Sequence, residues 1–196
     1  MTTIYFIRHA TPDRTVGEDA TFPLSEKGLT DVPLVTAYLQ DKAIDIVLSS
    51  PFKRSYDTVA DFAETAGLTI EVIDDFRERA ISHERWIDDF ATFSKEQWAD
   101  FSYKLPDGEC LADVQARNIA VLKDVLVRYK GKNIAVGTHG TALSLIIHYY
   151  SPAYGFKDFK AMASLMPWAV KMTFDENACT AIEKIDLFAQ NEVNHV

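Results

Sequence analysis

The chain has 196 residues, 47% of them hydrophobic and 25% charged, a composition that suits one globular domain with a full core. Its formal net charge of −9 argues against binding to nucleic acid or to an anionic membrane surface, because both need a basic protein face. A small anionic substrate is still compatible with this charge, since a few cationic side chains can dominate the field locally.

The sequence shows no pattern typical of a disulfide framework, a metal site, a signal peptide or a membrane span. The two cysteines, Cys110 and Cys179, are too few for a disulfide framework and do not form a metal-ligand spacing. The first residues lack a basic segment and run directly into an apparent strand, and no apolar run approaches the length of a membrane span. We therefore expect no signal peptide, no membrane association and a cytoplasmic location.

Strands and helices alternate along the first part of the chain. Residues 4–7 form a short β-branched and aromatic run that predicts a buried strand. Two similar runs at 44–48 and 69–73 flank a helical pattern at 52–66, which Gly67 follows as a C-cap. This strand–helix–strand order is typical of a parallel sheet.

Another helical pattern covers residues 29–39, with Ser25 as a candidate N-cap. Pro33 lies inside it, so we expect either a kinked helix or one that begins near Asp31.

The second half repeats the alternation. We predict a helix at 109–129, a strand at 134–137, a second helix at 141–149 and a closing antiparallel pair at 169–174 and 180–185. The tail from Ala189 is expected to be loose. Together these elements predict an α/β fold, a three-layer sandwich with a mostly parallel central sheet flanked by helices.

Residues 74–108 differ from the rest, because aromatic and acidic residues crowd this segment. We interpret it as a lid-like helical excursion over one end of the sheet, within a single domain of residues 1–196. The aromatic residues either form a satellite hydrophobic cluster that holds the excursion down or shape a substrate pocket.

Polar residues follow the predicted strands where a ligand would bind, outside their carboxyl ends. The first strand leads to Arg8 and His9, and the second to Ser49 and Ser50 with Arg54 in the next helix. The third and fourth strands are followed by residues 75–78 and 138–141, which include Glu78 and His139.

This set of residues fits phosphoryl transfer. Arginine forks match phosphate oxygens, and a neutral histidine can attack phosphorus with one ring nitrogen. A second, protonated histidine can neutralise charge in the transition state, and a glutamate can protonate the leaving oxygen. The helix after His139 is expected to aim backbone N–H groups at the same phosphate.

The motifs around these residues resemble those of the histidine phosphatase superfamily, also called phosphoglycerate mutase-like. Residues 7–10 (Ile-Arg-His-Ala) are similar to its Arg-His-Gly signature, and four further motifs occur in the family's order. They are Leu-Ser-Glu-Lys-Gly at 24–28, Ser-Ser-Pro-Phe-Lys-Arg-Ser at 49–55, Pro-Asp-Gly-Glu-Cys at 106–110 and Gly-Thr-His-Gly at 137–140.

The resemblance implies a metal-independent, cofactor-free phosphatase. It implies that His9 is the phosphorylated nucleophile, that Arg8, Arg54 and His139 hold the phosphate, and that Glu78 is the proton donor. Thr11 and Thr141 are further candidates for contacts to the phosphate. Asp75 and Glu84 are nearby acids that could take the place of Glu78 if the alignment shifts.

Departures from the family pattern affect the substrate more than the chemistry. Ala10 replaces a glycine, Cys110 replaces a serine, and the segment after Glu78 lacks the family's Trp-Glu-Gly pattern. A metal site involving His83 and the acids near it has no usual ligand spacing, so a solvated helix face is the better interpretation.

Three functions stay open at this stage. The first is a phosphomonoester hydrolase acting on a small phosphorylated substrate, and the second is a mutase that returns the phosphoryl group to a sugar acid. The third is a binding module that holds a phosphorylated ligand without turnover. The identity of the substrate and a homodimeric state are likewise left open by the sequence.

Overall fold

The computed structural model of the chain describes residues 1–82, 87 and 89–191. Its centre is a six-stranded sheet in the order β3-β2-β4-β1-β5-β6. The strands are β1 (Thr2–Arg8), β2 (Ile46–Ser49), β3 (Ile70–Val72), β4 (Asn133–Thr138), β5 (Trp168–Asp175) and β6 (Ala178–Ile185). Strands β3, β2, β4 and β1 are parallel, while β5 runs antiparallel to β1 and β6 antiparallel to β5. The predicted α/β class with a mostly parallel sheet is confirmed.

Helices cover both faces of this sheet. They are α1 (Glu26–Leu39), α2 (Lys53–Ala66), α3 (Phe90–Ala99), α4 (Leu111–Arg128), α5 (Gly140–Tyr150), α6 (Phe156–Met162) and α7 (Leu187–Asn191). Side chains of β1 alternate between two cores, as the period of a strand requires. Ile4 and Phe6 pack with residues of α4, α5 and α6, whereas Tyr5 and Ile7 pack with residues of α1, α2 and α7. The predicted three-layer sandwich is therefore confirmed.

Helix α1 begins earlier than one of our two expectations. Ser25 is its N-cap and accepts a hydrogen bond from the N–H of Gly28 at 3.1 Å, so the helix starts at Glu26 and carries Pro33 in its interior. The alternative start near Asp31 is wrong, because the cap satisfies the first turn. Gly28 also has no room for a side chain, since a Cβ there would collide with the carbonyl oxygen of Thr11. Helix α1 is thus packed tightly on the loop that follows β1.

Two elements at the end of the chain differ from the prediction. Helix α6 was not predicted at all, and the tail expected to be loose from Ala189 continues in α7 as far as Asn191.

Helix α2 ends as predicted, with Gly67 in the left-handed conformation at φ 67°. No helix in the described part of the chain is long and apolar enough to cross a membrane.

The segment from 74 to 108 contains a 3₁₀ turn at Asp74–Phe76 and the helix α3. Trp98 of α3 packs against Phe101 and Phe159, with ring centroids 5.6 and 5.7 Å away, so part of this segment is a hydrophobic cluster. Other residues of the same segment line a cavity. His83, Glu84, Trp86 and Asp88 lie outside the described residues. Whether the segment acts as a lid stays a prediction.

Candidate active site

A cavity of about 450 Å³ opens at the carboxyl edge of the parallel strands. The sequence predicted a site here, because β1, β2 and β4 end side by side at this edge. Five of the predicted residues line it: Arg8, His9, Arg54, Glu78 and Thr141. Further wall residues are Arg14, Asp19, Phe22, Arg79, Ile81, Ser82, Ile87, Phe90, Gly140, Phe159, Met162, Ala163 and Met166.

His9 is held in one tautomer by two hydrogen bonds. Its Nδ1 lies 2.8 Å from the carbonyl oxygen of Ala10, which can only accept, so Nδ1 carries the proton. Its Nε2 accepts a hydrogen bond from the Nε–H of Arg54 at 3.2 Å, so Nε2 carries a lone pair. Burial, together with Arg54 and Arg8, holds the pKa of His9 well below its usual range. The imidazole is therefore neutral, with Nε2 available as a nucleophile.

Arg54 comes from the first turn of α2 and is 4% exposed. Its Nη1 pairs with the carboxylate of Asp19 at 3.1 Å and also donates to the backbone carbonyl of Asp19. Burial raises the pKa of Asp19 against the opposing effect of the guanidinium. The loop that contains Asp19 thus holds Arg54 beside His9.

Arg8 is fixed by the C-terminal end of α6. Its Nη1 lies within hydrogen-bond distance of the carbonyl oxygens of Met162, Ala163 and Leu165, at 2.8, 3.1 and 2.9 Å. Carbonyl oxygens at a helix C-terminus and just beyond it carry partial negative charge, and they stabilise a cation. Burial lowers the pKa of Arg8 to about 10, so the side chain stays charged at neutral pH.

His139 lies behind His9 and does not belong to the described cavity wall. It is fully buried, its ring centroid is 5.3 Å from that of His9, and its Nε2 is 2.7 Å from the hydroxyl oxygen of Ser50. Its Nδ1 is buried and has no hydrogen-bond partner among the described residues. Burial, Arg54 and His9 hold the pKa of His139 well below its usual range. The sequence suggested that His139 acts as a cation. To do so, His139 has to gain a proton when an anionic ligand binds.

Glu78 occupies the N-terminus of α5. Its Oε2 accepts from the N–H of Thr141 at 3.0 Å, and its Oε1 accepts from the N–H groups of Ala142 and Arg79 at 3.1 and 2.9 Å. From the sequence we expected the N–H groups of α5 to face a phosphate. In the structure two of them are bonded to the carboxylate of Glu78 instead.

The loop that carries Glu78 is clamped by a half-buried ion pair. Arg117 of α4 donates from Nε and Nη2 to the two carboxylate oxygens of Glu109, at 2.9 and 3.0 Å. The same guanidinium donates to the backbone carbonyls of Asp75, Arg77 and Glu78, at 2.8, 2.9 and 3.1 Å. Sequence reasoning missed this role, although Glu109 lies within the Pro-Asp-Gly-Glu motif.

Other predicted or competing residues are placed differently. The backbone carbonyl of Thr11 accepts from the hydroxyl of Ser25 at 3.0 Å, and Thr11 is not part of the described cavity wall. Asp75 pairs with Arg77 at 3.1 Å and does not line the described wall either. Among the residues that the structure describes, no group of three or more His, Cys, Asp or Glu side chains could hold a metal ion.

Comparison with known proteins gives a consistent result. The sequence model described as "Histidine phosphatase superfamily (branch 1)" matches residues 4–181. Phosphoserine phosphatase 1 of Hydrogenobacter thermophilus is 30% identical over 125 residues, which are 59% of this chain and 58% of that protein. The probable phosphoglycerate mutase GpmB of Yersinia pestis is 26% identical over 159 residues, which are 75% of this chain and 74% of that protein.

A solved structure shows the same fold. The mycobacterial glucosyl-3-phosphoglycerate phosphatase superposes with a TM-score of 0.72 and 18% sequence identity, over 93% of this chain and 96% of that one.

Proposed function

The chain belongs to the histidine phosphatase superfamily, and from this premise we propose that it hydrolyses small phosphomonoesters through a phosphohistidine at His9. The observation that carries the proposal is the fixed tautomer of His9. The Nδ1–H of His9 donates to the carbonyl oxygen of Ala10 and Nε2 accepts from Arg54, so the lone pair of a neutral imidazole lies on Nε2, in a residue that lines the cavity. A neutral, buried imidazole is the form that can attack phosphorus.

The first step transfers the phosphoryl group to the enzyme. Nε2 of His9 attacks phosphorus, the N–P bond forms, and the bond from phosphorus to the leaving oxygen breaks. Before the attack, the Nε–H of Arg54 turns from Nε2 of His9 to a phosphoryl oxygen, which frees the lone pair, and Arg8 neutralises a second phosphoryl oxygen. Both arginines are preorganised by contacts with the protein, which is what lowers the barrier in such a site.

Glu78 supplies the proton for the leaving alcohol and later takes one from the attacking water. For the first task its carboxyl must carry a proton and turn toward the leaving oxygen. In the structure the N–H groups of Thr141 and Ala142 donate to the carboxylate of Glu78. The oxygens of an incoming phosphate can accept these two hydrogen bonds in its place, which makes the movement of Glu78 favourable. Glu78 is then released next to the leaving group.

Hydrolysis is favoured over mutase activity by the cavity wall. Phe22, Phe90 and Phe159 contribute apolar surface to it, whereas a mutase has to hold a bisphosphorylated intermediate until that intermediate returns a phosphoryl group to the enzyme. The likeness to GpmB keeps the mutase as the second candidate. Phosphorylated enzyme that yields inorganic phosphate with 3-phosphoglycerate present supports the hydrolase, and one that yields 2-phosphoglycerate supports the mutase.

The proposal is tested with a generic aryl phosphate, p-nitrophenyl phosphate. We expect wild type to release phosphate at the same rate with and without a chelator, and His9→Ala to lose about a thousandfold or more in kcat. Equal rates in wild type and His9→Ala would exclude His9 as the nucleophile. Loss of activity on chelation would contradict metal-independent catalysis. Tight phosphate binding without turnover in wild type would favour the non-catalytic binding module.

A further inference from the structure

Ser50 is a fully buried serine directly after β2, and the phosphoryl transfer described above gives its hydroxyl no role. Its backbone N–H donates to the carbonyl oxygen of Gly137 at 3.0 Å, which extends the contact of β2 with β4. Its hydroxyl oxygen lies 2.7 Å from Nε2 of His139, the N-cap residue of α5. The sheet therefore holds this hydroxyl against one ring nitrogen of His139.

The hydrogen bonds of Ser50 decide which nitrogen of His139 carries the proton in the free protein. Its hydroxyl oxygen also accepts from the N–H of Phe52 at 3.2 Å, and it has no third partner among the described residues. The hydroxyl hydrogen is therefore satisfied only when it points at a lone pair on Nε2, which leaves the ring proton on Nδ1. The other tautomer would leave two groups without partners in the described part of the chain, the hydroxyl hydrogen and Nδ1.

Charging His139 puts the second proton on Nε2, because Nδ1 already carries one. A buried N–H without an acceptor destabilises the charged ring. The hydroxyl oxygen of Ser50 has a second lone pair, and a hydroxyl can turn its hydrogen aside while its oxygen stays in place. The same oxygen atom is thus able to bond Nε2 in both charge states of the ring.

The surroundings of His139 oppose this second proton. Burial is the largest cause of its low pKa, and the positively charged or titratable groups that add to it are Arg54 of α2, His9 after β1, Arg117 of α4 and Arg8 of β1. An acid on this side is Glu78, whose carboxylate accepts from two N–H groups in the first turn of α5. Protonation of His139 therefore depends on the anion that binds and on an acceptor at Nε2.

We propose that Ser50 is a positioning residue whose hydroxyl donates to Nε2 of His139 in the free protein and accepts from Nε2 once a phosphomonoester is bound. This role rests on the proposed phosphatase activity. His139 takes the additional proton from water as the anion enters, and no bond between heavy atoms changes in this step. The hydroxyl of Ser50 then stabilises the charged ring beside the phosphoryl group.

Single-turnover kinetics over a range of pH test this role, with the protein in excess over p-nitrophenyl phosphate. Because p-nitrophenolate leaves without a proton, proton donation by Glu78 does not limit this step. Wild type should lose rate on the basic side as His139 loses its proton, at a pH below the pKa of Arg8, which is about 10. Ser50→Ala should lose rate at a midpoint lower by about one pH unit or more, because the charged ring loses its acceptor.

Ser49→Ala is the matched control. Ser49 is also fully buried, but its hydroxyl donates to the carbonyl of Ser50 at 2.9 Å and lies 3.4 Å from the hydroxyl oxygen of Ser55. The midpoint of Ser49→Ala should equal that of wild type. A smaller active fraction in either variant lowers the whole profile without moving its midpoint.

Imidazole ¹⁵N NMR of wild type provides a second measurement that needs no variant at Ser50. Without phosphate, His139 should carry its proton on Nδ1 and a lone pair on Nε2. With saturating inorganic phosphate, on the acidic side of the kinetic midpoint, both nitrogens should be protonated. A proton on Nε2 in the free protein, or a ring that stays neutral with phosphate, would overturn the role of Ser50.

The kinetic outcomes separate this role from the phosphatase itself. Equal midpoints in wild type and Ser50→Ala, or a wild-type profile without a basic limb below the pKa of Arg8, also overturn the role of Ser50. Turnover of p-nitrophenyl phosphate by wild type still supports the phosphatase in both cases. If wild type releases no p-nitrophenolate at any pH, the proposed function itself fails.

Discussion

The Nε–H of Arg54 donates to Nε2 of His9 across 3.2 Å, so the arginine proposed to bind the phosphate and the proposed nucleophile are in direct contact. This bond orients the imidazole, and burial together with the adjacent positive charge holds the pKa of His9 well below its usual range. During phosphoryl transfer the same N–H is free to follow the phosphoryl oxygen. One side chain thus serves two consecutive states of the reaction.

Replacing Arg54 by Gln should lower kcat/KM for any phosphomonoester by about a hundredfold or more, because a preorganised charged donor is lost from the phosphate site. Arg54→Lys should restore only a small part, since lysine cannot bond His9 and a phosphoryl oxygen in turn through a planar fork. Steady-state kinetics with p-nitrophenyl phosphate measure both variants. Near-normal kinetics in Arg54→Gln would contradict the role given to Arg54.

Glu78→Gln should have an effect that depends on the leaving group. An alkyl alcohol needs a proton as it leaves, whereas p-nitrophenolate leaves without one, so the phosphorylation step should fall much more for glycerol 3-phosphate than for p-nitrophenyl phosphate. Burst-phase kinetics of the two substrates provide the comparison, because a burst reports the first step alone. Equal losses with both substrates would show that Glu78 is not the proton donor.

Arg117→Gln should reproduce part of the Glu78→Gln pattern without removing the carboxyl group itself. Arg117 donates to the carbonyl of Glu78 and to both oxygens of Glu109, so its loss loosens the loop that positions the proton donor. We expect a loss of about tenfold with the alkyl phosphate and a smaller one with the aryl phosphate. A uniform loss with both would instead indicate that Arg117 only contributes to the folded fraction.

The two buried histidines make stability depend on pH. The folded-state pKa of His9 lies below the unfolded value of about 6.5, so below that pH the unfolded chain binds a proton that the folded chain does not. The free energy of unfolding should therefore fall as the pH drops from about 6.5 toward the lower folded-state pKa. In His9→Gln this slope should be shallower by up to about 1.4 kcal/mol per pH unit. Urea unfolding at several pH values tests this, and identical slopes in the two proteins would refute it.

Much of this fold is evident in the sequence because its signals are local. The apolar run of β1, the N-cap Ser25 and the C-cap Gly67 each act within one turn or strand, and each is found as predicted. Helix α6 gave no such signal, and its contact with Arg8 joins residues 154 positions apart. Long-range contacts of this kind are set by packing and leave no local pattern.

The candidate site likewise contains some features that the sequence predicts and others that it does not. Residues at the strand ends, such as His9 and Arg54, were predicted because parallel strands bring their carboxyl ends together. The bonding of Glu78 to the N-terminus of α5 was not predicted, and neither was the buried position of Arg79. Both depend on how the segment after β3 folds over the sheet, and this segment departs most from the family pattern.

The phosphohistidine itself provides the most direct test. Enzyme mixed with a phosphomonoester and quenched within milliseconds should carry one phosphoryl group that is stable in base and labile in acid, on the peptide that contains His9. His9→Ala should carry none, and the label on wild type should be released as inorganic phosphate when the substrate is exhausted. Rapid turnover without a labelled His9 peptide, or a label on another residue, would contradict the account.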